Sequence, residues 1–150
     1  MRTLVALLVL VTAPRLVAAA PPEDETAPYK VIVNAQNGAS VVKREAVVQL
    51  FLNRRATWTN GPVAEPFDLS MTSPVREAFS REVLGMPLLA VQQYWRKRML
   101  DLREFPPMVK ASDSEVIAAV GKNPGAIGYV SWSAELPSTV KWLKISDPIR

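Results

Sequence analysis

The stretch that decides the fold is Asn123-Pro124-Gly125-Ala126-Ile127-Gly128-Tyr129-Val130. Its first three residues are turn formers, and the five that follow are apolar or small, as is typical of a strand. The sequence therefore predicts a strand over Ala126–Val130 that the chain enters through a tight turn.

A second informative stretch, Ser73-Pro74-Val75-Arg76-Glu77-Ala78-Phe79, has the signals of a helix start. Ser73 is a favourable N-cap residue, and proline is preferred at the first helical position. Ala78, Phe79 and Val83 follow at helical spacing and predict the buried face, while Gly85 predicts the end. We expect a helix from Pro74 to about Gly85.

The remaining segments alternate between strand and helix patterns. Further strands are predicted at Tyr29–Val33, Ala64–Leu69, Met108–Ala111 and Thr139–Ile145, and further helices at Lys43–Leu52, Pro87 to about Leu102, and after the capping box Ser112-Asp113-Ser114-Glu115 through Val120. Such alternation indicates an α/β sandwich around one mixed sheet.

The N-terminus has the pattern of a secretory signal peptide. A basic start with Arg2 precedes the apolar run Leu4–Val11, and small residues end the segment. We expect a signal peptide at 1–19 with cleavage before Ala20, a flexible lead-in at 20–28, and one domain at 29–150; an uncleaved N-terminal anchor is the alternative. Loss of Arg2 and Arg15 lowers the formal net charge from +4 to +2.

Composition excludes several classes of function. The chain has no cysteine and no histidine, which excludes disulfides, thiolate nucleophiles, Cys/His zinc sites and imidazole bases. We therefore predict no enzyme activity, no metal and no cofactor. The dense basic clusters, Arg54-Arg55 and Arg96-Lys97-Arg98, fit no nucleic-acid motif and are interpreted as solvated helix surface, so no nucleic-acid partner is expected.

The helix start at Ser73 is the candidate ligand site. Unpaired N–H groups and the positive end of the helix dipole favour an anion there. The predicted ligands are the Ser73 hydroxyl, the N–H groups of Val75 and Arg76, and the Arg76 guanidinium, with Asn34 added because it follows the first strand, where α/β folds place binding loops. The alternative is that Ser73 only caps its helix and Arg76 pairs with a surface carboxylate such as Glu77.

Several blocks, in this order, resemble a known family. They are Val31-Ile32-Val33-Asn34, the helix ending Leu50-Phe51-Leu52 with Trp58 and Gly61 after it, the Ser73–Phe79 stretch, and the Asn123–Val130 stretch. The series resembles the periplasmic phosphate-binding proteins of ABC transporters, and most closely their short, single-lobe relatives.

The resemblance implies a type II periplasmic-binding-protein fold, here a single-lobe three-layer sandwich, in a periplasmic protein. It also implies phosphate or another small oxyanion as ligand and an ABC permease as partner. The family's phosphate loop runs Arg, three residues, Ser-Gly-Thr; in this chain the serine is Ser73, but Leu69, Pro74 and Val75 replace the arginine, glycine and threonine.

These departures leave a second hypothesis open, an envelope protein-interaction module that has lost ligand binding. Dimerisation is one way to supply a second lobe, so a homodimer is also kept as an alternative.

Overall fold

A computed structural model describes residues 27–59 and 61–146 of the 150-residue chain. The strands are β1 (Tyr29–Asn34), β2 (Val41–Val42), β3 (Glu65–Leu69), β4 (Met108–Lys110), β5 (Ala126–Ser131), β6 (Val140–Trp142) and β7 (Lys144–Ile145). The helices are α1 (Arg44–Phe51), α2 (Pro74–Glu82), α3 (Leu88–Leu102) and α4 (Asp113–Lys122). The predicted signal peptide and all but the last residues of the predicted lead-in lie outside the described residues.

The main sheet has five strands in the order β4-β3-β5-β1-β6. β3 runs parallel to both β4 and β5, whereas β1 is antiparallel to β5 and β6. The sheet is therefore mixed, as the alternation of strands and helices predicted. The decisive strand, β5, lies at its centre.

Helices cover both faces of this sheet. Gly128 faces α4 so closely that an added Cβ would lie 2.6 Å from Cγ1 of Val116. The next residue, Tyr129, faces the other way and stacks on Phe79 of α2 with ring centroids 3.8 Å apart. Because neighbouring side chains in a strand point to opposite faces, α4 lies on one side and α2 on the other. The three-layer α/β sandwich is confirmed.

An aromatic cluster fills the layer between the sheet and α1 and α2. Phe79 contacts Tyr29 edge-on at 5.6 Å and Phe51 at 4.9 Å between ring centroids. Tyr129 is the fourth ring of the cluster, and all four rings are buried. Burial of large aromatic surfaces fixes α2 against the sheet and so positions the start of that helix.

The local signals at helix ends are confirmed. Ser73 caps α2 with Pro74 at its first position, and Gly85 adopts a positive φ angle of 69° after α2. At α4, Ser112 accepts a hydrogen bond from the Glu115 N–H. The Glu115 carboxylate, however, accepts one from the N–H of Ala111, the residue before the cap.

Two features differ from the sequence prediction. The strand predicted over Thr139–Ile145 is interrupted at Leu143, whose side chain is buried. The second part, β7, leaves the main sheet and pairs in parallel with β2, which the sequence analysis did not predict. Among the described residues, no helix combines the length and apolar character needed to span a membrane.

Candidate functional site at the start of helix α2

A loop of hydroxyl side chains joins the end of β3 to α2. Ser70 and Thr72 lie with their hydroxyl oxygens 3.1 Å apart, and the Thr72 N–H donates to Ser70 Oγ at 3.4 Å. The Ser73 N–H donates to the Ser70 carbonyl at 2.9 Å. The loop is thus a compact turn that holds three hydroxyl groups beside the first turn of α2.

The first turn of α2 retains one free backbone donor. Ser73 Oγ accepts from the Arg76 N–H at 3.3 Å, and Pro74 has no N–H to offer. In the described part of the chain, the Val75 N–H has no hydrogen-bond partner. This group and the Ser73 hydroxyl proton are therefore available to an anion at the positive end of the helix dipole. One proton of the Ser70–Thr72 pair is also available, because only one of the two hydroxyls donates to the other.

The Arg76 side chain does not join these donors, because it turns into the protein. Its Nη2 lies 2.7 Å from Asp68 Oδ2, and the two side chains are only 8% and 11% exposed. Its Nη1 donates to the Leu69 carbonyl at 2.5 Å. The Arg76 guanidinium, predicted as a ligand group, is thus paired with an internal carboxylate that neutralises its charge. Its role as an anion ligand stays a prediction.

Asp68 is the centre of a buried polar network. Its Oδ1 accepts hydrogen bonds from the Tyr129 hydroxyl and from the Leu69 N–H at 2.9 Å. Burial raises the pKa of the Asp68 carboxyl, although Arg76 and the two hydrogen bonds act in the opposite direction. Burial and the neighbouring Asp68 charge also raise the pKa of the Tyr129 phenol.

The sequence interpretation misplaced the partner of Arg76. It offered a surface carboxylate such as Glu77, but Glu77 pairs with Arg81 at 2.5 Å on the exposed side of α2. The partner is Asp68, a residue of β3. A usable signal was the single carboxylate between Phe67 and Leu69, because an acid in a buried strand needs a cation nearby.

Asn34 and Ser73 lie at opposite ends of the strands. The last residues of β1 pair with the first residues of β5, and the first residues of β3 pair there too. Ser73, in contrast, follows the last residue of β3. The Asn34 amide donates to the carbonyls of Val120 and Gly121, each at 3.0 Å, and its Oδ1 accepts from the Gln36 N–H. These bonds satisfy the end of α4 and give Asn34 a structural role.

A metal site is not formed by the residues that the structure describes, since no three of their acidic side chains come together in a suitable cluster. The start of α2 can therefore donate hydrogen bonds to an oxyanion, but it offers no unpaired positive side chain to balance the charge of that anion.

Comparison with solved structures finds the same α/β fold in several phosphate-binding proteins. An ABC-type phosphate transport receptor of Vibrio cholerae matches with a TM-score of 0.61 and 19% identity over 82% of this chain. A Clostridium perfringens protein, assigned to a phosphate ABC transporter and solved with bound phosphate, matches with 0.61 and 17% over 79%. PstS of Borrelia burgdorferi matches with 0.60 and 13% over 79%.

The chain spans about half the length of these proteins, between 44% and 48% of each, as expected for a short, single-lobe relative. The resemblance found in the sequence is thus confirmed at the level of fold. No protein-family model matches the chain, and no curated protein does.

Proposed function

We propose that this protein is a binding module for phosphate or another small oxyanion, with its site at the start of α2. The observation that carries the proposal is the free Val75 N–H beside the Ser70, Thr72 and Ser73 hydroxyls, at the beginning of a nine-residue helix. The similarity in fold to phosphate-binding proteins supports the same ligand class.

The ligands in this proposal are the Ser73 hydroxyl and the Val75 N–H. Arg76 acts as a positioning residue, because its guanidinium binds the carbonyl of Leu69 and so holds the end of β3 under the loop. Asn34 stays a prediction as a ligand, and nothing in the geometry brings it to the other residues.

Neutral donors alone give weak binding. Charge-assisted hydrogen bonds are about twice as strong as neutral ones, and the guanidinium that would supply them is already paired with Asp68. We therefore expect a dissociation constant of about 1 mM, equivalent to about 4 kcal/mol of binding free energy.

Calorimetric titration with phosphate, sulfate and molybdate tests the proposal. We expect saturable heat with at least phosphate, and a higher melting temperature at millimolar anion because the ligand binds only the folded state. Absence of both heat and thermal shift for all three anions would refute oxyanion binding.

Export and transport belong to the same proposal. We propose that residues 1–19 direct the protein to the periplasm and that a phosphate ABC permease is its partner. N-terminal mass determination on the exported protein tests the first part, with Ala20 as the expected first residue. Recovery of the permease by cross-linking in the envelope tests the second.

A second candidate function, an envelope protein-interaction module, is favoured by a different observation. Large apolar side chains are exposed around the end of α3 and the sheet-edge strand β4, among them Leu100 at 77%, Phe105 at 74% and Met108 at 59%. Exposed apolar surface of this kind often marks interaction sites. Pull-down from envelope extract should recover a defined partner that Phe105→Ser no longer retains. Sedimentation of the purified protein would reveal a homodimer instead.

A further inference from the structure

A groove lies between α3 and the edge of the sheet and has a volume of about 390 Å³. Residues of α3 line it, as do Pro106, Pro107 and Val109, and Asp68 with Arg76. Ser73 and Val75 are not among the lining residues, so the groove does not include the ligands of the proposed oxyanion site; it adjoins that site through Arg76. Its volume lies within the range of about 300–1,000 Å³ that is usual for small-molecule sites.

The walls of the groove are mainly apolar. Trp95 is buried, whereas Leu89 and Met99 are 64% and 39% exposed. These three residues of α3 line the groove together with Pro107 and Met71. Thioether, indole and proline surfaces adapt well to an alkyl chain or a ring.

The charges of the groove are not balanced. The lining contains one carboxylate, of Asp68, and two guanidiniums, of Arg76 and Arg96, so its net charge is +1. Asp68 and Arg76 neutralise each other. Arg96 is exposed, and its guanidinium forms neither an ion pair nor a hydrogen bond in the part of the chain that the structure describes. The neighbouring Gln92 and Gln93 add amide donors.

From this combination we infer that the groove binds a soluble amphiphilic monocarboxylate, with its alkyl chain or ring against Trp95 and Met99 and its carboxylate on Arg96. A guanidinium pairs a carboxylate through two parallel hydrogen bonds, and burial of the chain supplies the apolar part of the affinity. The inference is independent of the proposed phosphate function.

Titration with octanoate, followed by NMR of methionine methyl groups labelled with carbon-13, tests this site. Met71 and Met99 line the groove, whereas Met86 does not. We expect the methyl signals of Met71 and Met99 to shift saturably with octanoate and the signal of Met86 to stay in place.

Two matched controls define the role of the charge. Arg96→Gln should weaken octanoate binding about fivefold, as expected for loss of a partly exposed ion pair, whereas Lys97→Gln, the next residue of α3, should leave it unchanged. Octylamine, which has the same chain and the opposite charge, should bind much more weakly than octanoate.

Three results would overturn the inference. One is no shift at Met71 and Met99 with millimolar octanoate. Another is displacement of octanoate by inorganic phosphate, which would merge the groove with the oxyanion site. The third is a shift of the same signals with protein concentration alone, which would make a second copy of the chain the occupant.

Discussion

Two regions near the first turn of α2 differ in whether their polar groups are paired within the protein. Beneath the helix, Asp68, Arg76 and Tyr129 form a buried network in which the charges compensate each other. At the start of the helix, the Ser73 hydroxyl proton and the Val75 N–H have no acceptor among the described residues.

The difference shows that the positive charge of Arg76 is paired within the protein and does not lie among the free donors. An arginine near a helix start indicates a ligand role from sequence, yet the guanidinium of Arg76 pairs with the buried Asp68 carboxylate. The donors that remain for a ligand are neutral. Four substitutions test this division, beginning with the largest expected effect.

Arg76→Met should reduce the free energy of unfolding by about 3–5 kcal/mol, because it leaves the Asp68 carboxylate buried without its cation. Urea denaturation measures the loss. Arg81→Met is the matched control: its ion pair with Glu77 is exposed, so it should cost no more than about 1 kcal/mol. The double variant Asp68→Asn with Arg76→Met should recover part of the loss. Equal costs for Arg76→Met and Arg81→Met would contradict a structural role for Arg76.

Asn34→Ala should reduce the free energy of unfolding by about 1–3 kcal/mol, because the carbonyls of Val120 and Gly121 lose a buried donor. Chemical denaturation measures this effect. Phosphate affinity, measured by calorimetry on the same sample, should not change. If the variant stays folded but no longer binds phosphate, Asn34 is a ligand after all.

Tyr129→Phe should cost about 1–2 kcal/mol at neutral pH through loss of the hydrogen bond to Asp68. The pKa of Tyr129 is raised in the folded protein above its ordinary value of 10.0. Above that pH the unfolded chain releases the proton while the folded protein keeps it, so wild-type stability falls as pH rises. The free energies of unfolding of the two proteins should therefore converge as the pH rises above 10.0. A constant difference between them would argue against a raised pKa of Tyr129.

Ser73→Ala has the smallest expected effect on stability, about 1 kcal/mol for loss of an N-cap. Ser112→Ala is its control, since Ser112 caps α4 with the same 3.3 Å bond. Thermal unfolding should show similar losses for both variants, whereas only Ser73→Ala should weaken phosphate binding in calorimetry. Equal phosphate affinity in both variants would mean that the Ser73 hydroxyl only caps α2 and does not bind the anion.

The features predicted from sequence are those that depend on neighbouring residues. The Ser73-Pro74 start and the Gly85 end of α2 follow from local backbone preferences, and the alternation of strands and helices gave the sandwich. The pairing of β2 with β7 was missed, because Val41–Val42 and Lys144–Ile145 are two-residue strands whose pairing depends on tertiary structure.

The candidate site was predicted less completely, for the same reason. The position of Ser73 and Val75 at a helix start follows from the sequence, but the direction of the Arg76 side chain depends on Asp68, which belongs to another element. Asn34 was grouped with them because it ends a strand. β1 runs antiparallel to β5, which places Asn34 at the other end of the strands from Ser73. No local sequence signal predicts this direction.

The central claim is that neutral donors at the start of α2 bind an oxyanion. It is tested most directly by a phosphate titration followed by nitrogen-15 amide NMR. The account predicts a saturable shift of the Val75 amide at millimolar phosphate, with the Asn34 side-chain amide unmoved. A Val75 amide that does not respond, in a protein that remains folded, would contradict it.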